Sequence, residues 1–208
     1  MKFILFIEGR VEKKALPQFL KKWLDPRLAK PVGIKTVRFE GWPELVIDTP
    51  KKAGLYLTGP QKHDIIAVIA LLDLYGPTFY PADKKTAKTR YDWAKAYLES
   101  KVNHPKFRQF FAVHETEAWL LSDPDLFSPE IKKALPKSIQ HPEDINFDEP
   151  PAKILDRIYK QKTQHSYKKV THGSELFNKL DPNLACKKCP RFKELLDEML
   201  KLAKEAGL

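Results

Sequence analysis

Two uninterrupted apolar runs mark the chain, Phe3-Ile4-Leu5-Phe6-Ile7 and Ile65-Ile66-Ala67-Val68-Ile69-Ala70-Leu71-Leu72. Continuous runs of this kind suit parallel strands buried on both faces. A third run over residues 107–113 is rich in aromatics and interrupted by Arg108 and Gln109, and residues 34–40 alternate as a strand. Helical spacing fills the intervals. Residues 12–24 place Ala15, Leu16, Phe19, Leu20, Trp23 and Leu24 on one face, with Pro17 near the first turn, where proline is tolerated. Residues 42–57 read as a helix interrupted at Pro50, residues 85–102 as a further helix, and residues 115–121 as a short one ended near Asp123-Pro124. Alternation of strand and helix then stops. Residues 138–151 are rich in proline and acids and read as a loop, and helical patterns return over 152–160, 174–180 and 191–206. The pattern predicts an α/β fold, a mostly parallel central sheet flanked by helices over residues 1–135. A helical portion over residues 136–208 packs on it or projects as an arm.

Each apolar run leads straight into a carboxylate. Glu8 follows the first, Asp73 the second, and His114-Glu115-Thr116-Glu117 the third, with Asp123 beyond. In an open α/β sheet, ligands bind at the carboxyl ends of the strands. Acids at three such ends gather at one edge, where they repel unless protons or a hard cation neutralise them. The expectation is a Mg²⁺ or Mn²⁺ site.

Composition narrows the class. With 208 residues, 42% hydrophobic and 31% charged, the chain has material for a sizeable core and is not of the disordered type. The longest apolar run is too short to span a bilayer, and no secretory signal pattern opens the sequence. Cys186 and Cys189 are the only cysteines, which fits a reducing cytoplasm. The formal charge of +10 favours a polyanionic partner, most commonly nucleic acid. Acids concentrate at the strand ends and over residues 142–149; basic residues cluster over 84–95 and 153–169. A negative centre within a positive field suits a metal-dependent enzyme acting on phosphodiesters.

The residues Glu8-Gly9-Arg10-Val11-Glu12, set beside Leu72-Asp73-Leu74-Tyr75-Gly76, resemble the Toprim fold of topoisomerases, primases and overcoming-lysogenization-defect nucleases. Toprim domains carry a glutamate after the first strand and Asp-x-Asp after the third, which hold divalent metal for phosphoryl transfer. Here Tyr75 stands at the second aspartate, and tyrosine is a poor ligand for a hard metal. A narrower resemblance accommodates this. Asp73-Leu74-Tyr75-Gly76-Pro77, the block from His114 to Asp123, Tyr167-Lys168-Lys169 with Gly173, and Cys189-Pro190-Arg191-Phe192 look like landmarks of the Toprim-related "domain of unknown function 4276" family. That resemblance implies a Toprim-like core and a nuclease role, with defence against mobile DNA as one setting.

The candidate residues carry competing readings. Glu8, Asp73 and Glu115 are the expected metal ligands, with Glu117 a near rival of Glu115. On a regular helix those two point about 200° apart, whereas an irregular first turn would bring both round. Glu12 is either a base, as Glu8 could be, or a first-turn acid complementing the helix dipole. Gly9 permits a tight turn and close approach of a phosphate. Arg10, Lys168 and Lys169 are candidate phosphate contacts, and Tyr167 could stack on a base. His114 is a ligand, a base, a substrate contact or a structural hydrogen-bonder. Asp123 either acts at the site or forms an Asx turn. Cys186-Lys187-Lys188-Cys189 has half a zinc spacing without a second pair, so both read as ordinary thiols. The leading expectation is a Mg²⁺- or Mn²⁺-dependent nuclease. A non-catalytic nucleic-acid-binding module, suggested by Tyr75, and an enzyme on small phosphorylated compounds are the alternatives.

Overall fold

The computed structural model describes residues 1–144 and 149–208. Four strands, β1 (Lys2–Ile7), β2 (Gly33–Arg38), β3 (Ile65–Asp73) and β4 (Phe107–Ala112), form one sheet in the order β2-β1-β3-β4, every pairing parallel. The connections are α1 (Arg10–Leu24), α2 (Trp42–Thr58) and α3 (Ala87–Val102). After β4 come α4 (Glu117–Leu121), α5 (Pro129–Ala134), α6 (Pro151–Thr163), α7 (Ser174–Lys179), α8 (Pro182–Lys188) and α9 (Pro190–Glu205), with a π-helical turn at Lys169–Gly173 ahead of α7.

The apolar runs are continuous because both sheet faces are covered. Phe3, Leu5, Ile7, Ile69, Leu71 and Phe110 join the core with α1 and α9; Ile4, Phe6, Val68, Ala70, Leu72 and Phe111 face α2 and α3. Near the start of β3 the register against β1 slips by one residue, and Ile66 and Ala67 both fall on the α1 side, as a β-bulge allows. The free side of β4 is closed by side chains. Glu99 accepts from the Gln109 N–H (3.0 Å), and the Lys95 ammonium donates to the Gln109 carbonyl (2.8 Å). An exposed edge that could recruit another strand is thereby blocked.

The helices beyond residue 136 do not project as an arm. Helices α7, α8 and α9 pack against α1, and their apolar residues belong to the same core as β1 and β3. Other details depart from the sequence reading. Pro17 lies inside α1 rather than in its first turn, and α2 runs through Pro50 without interruption. A lost backbone hydrogen bond there is outweighed by burial of Leu45, Thr49, Ala53 and Leu57 on one face. The short helices α5 and α8 carry too few apolar positions to have been read. The stretch expected as a loop over 138–151 is entered by a 3₁₀ turn at Lys137–Gln140 and holds another at Pro142–Asp144; residues 145–148 lie outside the described residues. Among the described residues, no helix is long and apolar enough to cross a membrane.

Candidate active site at the carboxyl edge of the sheet

Strand order sets the place. Helix α1 leaves β1 toward one face and the adjacent β2, whereas α2 and α3 run on the other face. The crevice where these directions diverge lies between the carboxyl ends of β1 and β3, the usual ligand position of such sheets. Glu8 follows β1 there, and Asp73 ends β3.

Glu12 joins them from the first turn of α1. Its carboxylate folds back against Gly9, so that a β-carbon at Gly9 would meet Glu12 Oε2 at 1.6 Å. Gly9 has an ordinary extended φ of −96°, so the glycine serves this close approach rather than a tight turn. Glu12 Oε1 accepts from Thr116 Oγ1 (3.4 Å), and the Thr116 N–H donates to Asp73 Oδ1 (3.1 Å).

The acids after β4 arrive by a strained turn. His114 has φ 59°, a left-handed conformation that non-glycine residues adopt rarely. The chain turns there, and α4 begins only at Glu117. Glu115 and Glu117 therefore meet the same cation. Lys169 Nζ lies 3.1 Å from Glu115 Oε1 and 3.1 Å from Glu117 Oε2. Glu115 Oε2 also accepts from the Ala152 N–H at the start of α6 (2.8 Å). Glu115, the favoured ligand in the sequence reading, is thus engaged as a tether. Glu117, 1% exposed, is the one whose charge acts on Asp73.

Electrostatics follow from this crowding. Burial, then the neighbouring Glu12, pushes Glu8 up to about 7, although backbone groups of Asp73 and Trp42 hydrogen-bond its carboxylate. Burial also raises Glu117 to about 7, against the pull of Lys169 and helped by Glu115 and Glu12. Asp73 stands well above the usual carboxylate range; burial is the main cause, opposed by Lys169 and reinforced by Glu12, Glu117 and Glu8. Burial works against the charge of Lys169, yet Glu117, Asp73 and Glu115 outweigh it and hold the ammonium protonated.

The structure thus brings together Glu8, Glu12, Asp73, Glu115, Glu117 and Lys169. It does not bring His114, Arg10 or Lys168 into that group. His114 is 2% exposed, its imidazole pushed below its ordinary value mainly by burial, and lies near Glu115, Asp144 and Glu143, so its ring is not presented to a substrate. Arg10 is exposed at the start of α1, and its charge acts on Glu40. Lys168 is exposed, its N–H donating to His172 Nδ1 (3.0 Å). Tyr167 is core rather than a stacking platform, packed against Tyr159 and His172. Asp123 forms the turn, accepting from the Asp125 N–H (3.0 Å). Cys189 is buried at the start of α9, and both cysteines are free thiols. Sequence reasoning missed two participants. Thr116 bridges Glu12 and Asp73, and the Lys153 ammonium donates to the Tyr75 hydroxyl (3.1 Å). Thr116 could have been suspected from its place between two acids; Lys153 carries no local signal.

The donor chemistry fits a hard divalent cation. It is all carboxylate oxygen, and the buried Glu12 Oε2 has no hydrogen-bond partner. The spacing is not preset. Among the described residues, no group of three or more His, Cys, Asp or Glu is placed to hold a metal ion, and Lys169 sits between two of the acids.

The sequence matches the model of a family described as "Domain of unknown function (DUF4276)" over residues 7–200. No curated protein matches it. Among solved structures, the chain is similar to the C-terminal region of the Burkholderia pseudomallei OLD protein, at 18% identity and a TM-score of 0.47, covering 95% of this chain and 98% of that one. It is also similar to the C-terminal region of the Xanthomonas campestris pv. campestris OLD protein, at 17% identity and a TM-score of 0.46, covering 98% of this chain and 94% of that one.

Proposed function

The chain belongs to the DUF4276 family, and for this member we propose a Mg²⁺- or Mn²⁺-dependent phosphodiesterase that cleaves nucleic acid, built on a Toprim-like core. The observation that carries the reading is the crowding of Glu8, Glu12, Asp73 and Glu117 at the switch point, with three of them held above their ordinary ionisation range. A protein keeps mutually repelling, part-buried carboxylates where something else uses their charge.

In this reading Glu8, Asp73 and Glu117 hold the metal, with Glu12 at its side. The chemistry supplied there by a bound metal would be polarisation of a phosphoryl oxygen and a lowered pKa for an attacking water. Glu12, beside the ligands rather than among them, would take a proton from that water at Oε2, which has no hydrogen-bond partner. Lys169 keeps the acids from repelling one another and offers an ammonium to phosphate charge. Thr116 fixes the rotamers of Asp73 and Glu12.

The test is thermal melting with Mn²⁺ beside a cleavage assay, on wild type, Asp73→Asn and Glu117→Gln. Wild type is expected to melt higher with Mn²⁺ and to cut single- or double-stranded substrate; both variants lose both properties. Wild type that neither shifts nor cleaves sinks the proposal. A second reading, a nucleic-acid-binding module without catalysis, is favoured by one observation. Lys169 already bridges Glu115 and Glu117, an internal neutralisation that needs no metal.

A further inference from the structure

A cavity of about 450 Å³ opens beside the acid cluster, in the loop that follows β3. Tyr75, Tyr80, Lys84, Lys85 and Arg90 line it, together with the turn from Gly76 to Ala82. Adjacency to the cluster is electrostatic as well as sequential, since Glu8 and Asp73 both act on the Tyr80 hydroxyl. The cavity is well supported. Tyr80 donates to the Leu74 carbonyl (2.9 Å), and its ring stacks on Phe79 at 4.8 Å. Phe79 in turn lies 5.9 Å from Trp42 and 5.9 Å from Trp93. The Arg90 guanidinium stands 5.1 Å from the Tyr80 ring, its Nε donating to the Lys84 carbonyl. Gly76, at φ +107°, turns the chain after Tyr75 in a conformation that side chains resist. Lys84 pairs with Asp83, and Lys85 is exposed.

We propose that this cavity takes one unpaired nucleotide of the substrate strand, its base against the Tyr75 ring and its phosphate on Lys84, Lys85 and Arg90. The substrate class is then single-stranded nucleic acid or a frayed end. Two features argue for it together. Aromatic rings edged by cations are what an unstacked base and its phosphate require, and a base inside a duplex cannot reach such rings. The volume suits a small ligand rather than a helix, and the wall is held by ring packing and hydrogen bonds of its own. A strand seated here runs past Asp73, with an adjacent phosphodiester at the acids. This rests on the nucleic-acid reading above, yet its test needs neither metal nor cleavage.

The experiment is fluorescence anisotropy in EDTA with a short labelled oligothymidylate, its duplex with oligoadenylate, and an oligouridylate. Wild type is expected to bind the single strands at least about tenfold more tightly than the duplex. The thymidylate and uridylate arms tell DNA from RNA. Tyr75→Ala should weaken single-strand binding about tenfold, and Tyr75→Phe, which keeps the ring, should restore it. Replacing Lys84 and Lys85 together by alanine should lower the slope of log affinity against log salt by about 0.7, one phosphate contact on a single strand. Unchanged binding in the alanine variants, or a duplex bound as tightly as the single strand, overturns the proposal. Asp73→Asn separates the two readings. Retained binding without cleavage in any protein removes the nuclease and leaves the cavity, whereas metal-dependent cleavage with indifferent cavity variants does the reverse.

Discussion

At the scale of single residues, Asp73 and Lys169 balance each other. Asp73 is part-buried, raised well above the usual range, and faces three other acids. Asp73→Asn keeps an oxygen for the Thr116 N–H and removes a charge, so the metal-free variant should melt at or above wild type. With Mn²⁺, wild type should gain stability by mass action and the variant should not. Equal metal-induced shifts would show that Asp73 is no ligand. Lys169→Met has the opposite sign. It strands Glu115 and Glu117 without their cation; because the Lys169 side chain is 41% exposed and partly screened by water, the cost is that of an unsatisfied buried acceptor, about 1–3 kcal/mol. Urea unfolding at pH 7 should show that loss, and at pH 5 part of it should vanish because Glu117, raised to about 7, is then protonated. A loss of the same size at both pH values would assign Lys169 a packing role instead.

At the scale of elements, the acids after β4 divide their work because His114 turns the chain and α6 arrives from elsewhere. Glu115 ties α4 to the start of α6 through Ala152, so Glu115→Ala should cost about 1–3 kcal/mol while the metal response survives. Glu117→Gln should cost little and abolish the response. The reverse pattern in melting with and without Mn²⁺ would return Glu115 to the metal. Helix α9 depends on a comparable tether. Glu143 accepts from the N–H groups of Arg191 (2.9 Å) and Phe192 (3.2 Å), so Glu143→Ala should destabilise by about 1–2 kcal/mol in urea. Such capping from more than forty residues away leaves no trace in local pattern. Strands were legible because a two-face burial writes itself as an apolar run; Pro50 misled because local propensity is a weak rule once a face is buried.

At the scale of the whole molecule, pH and salt report on the charge arrangement. Glu8 and Glu117 are raised from ordinary carboxylate values to about 7, so between roughly pH 4.5 and 7 the folded state holds protons that the unfolded state has released. Stability should therefore fall as pH rises through that window. Glu117 alone contributes at most on the order of 3 kcal/mol. Melting that rises across the window would contradict the placement of these acids. Divalent metal should flatten the fall. The +10 charge adds a separate expectation, nucleic-acid affinity that drops steeply as salt rises, read by anisotropy at two ionic strengths.

Sequence alone determined that β1 and β3 are buried on both faces and that each delivers a carboxylate at its end, because an apolar run and the residue after it are local facts. Parallel pairing then placed Glu8 and Asp73 at one edge. Tertiary structure decided what happens there. The turn at His114 brings Glu115 and Glu117 to one ammonium, and Lys169 reaches Glu115 across 54 positions of chain. Lys153 reaches Tyr75 across 78. Contacts so distant in sequence depend on how the helices after β4 fold back over α1, and no periodicity within a segment encodes that path.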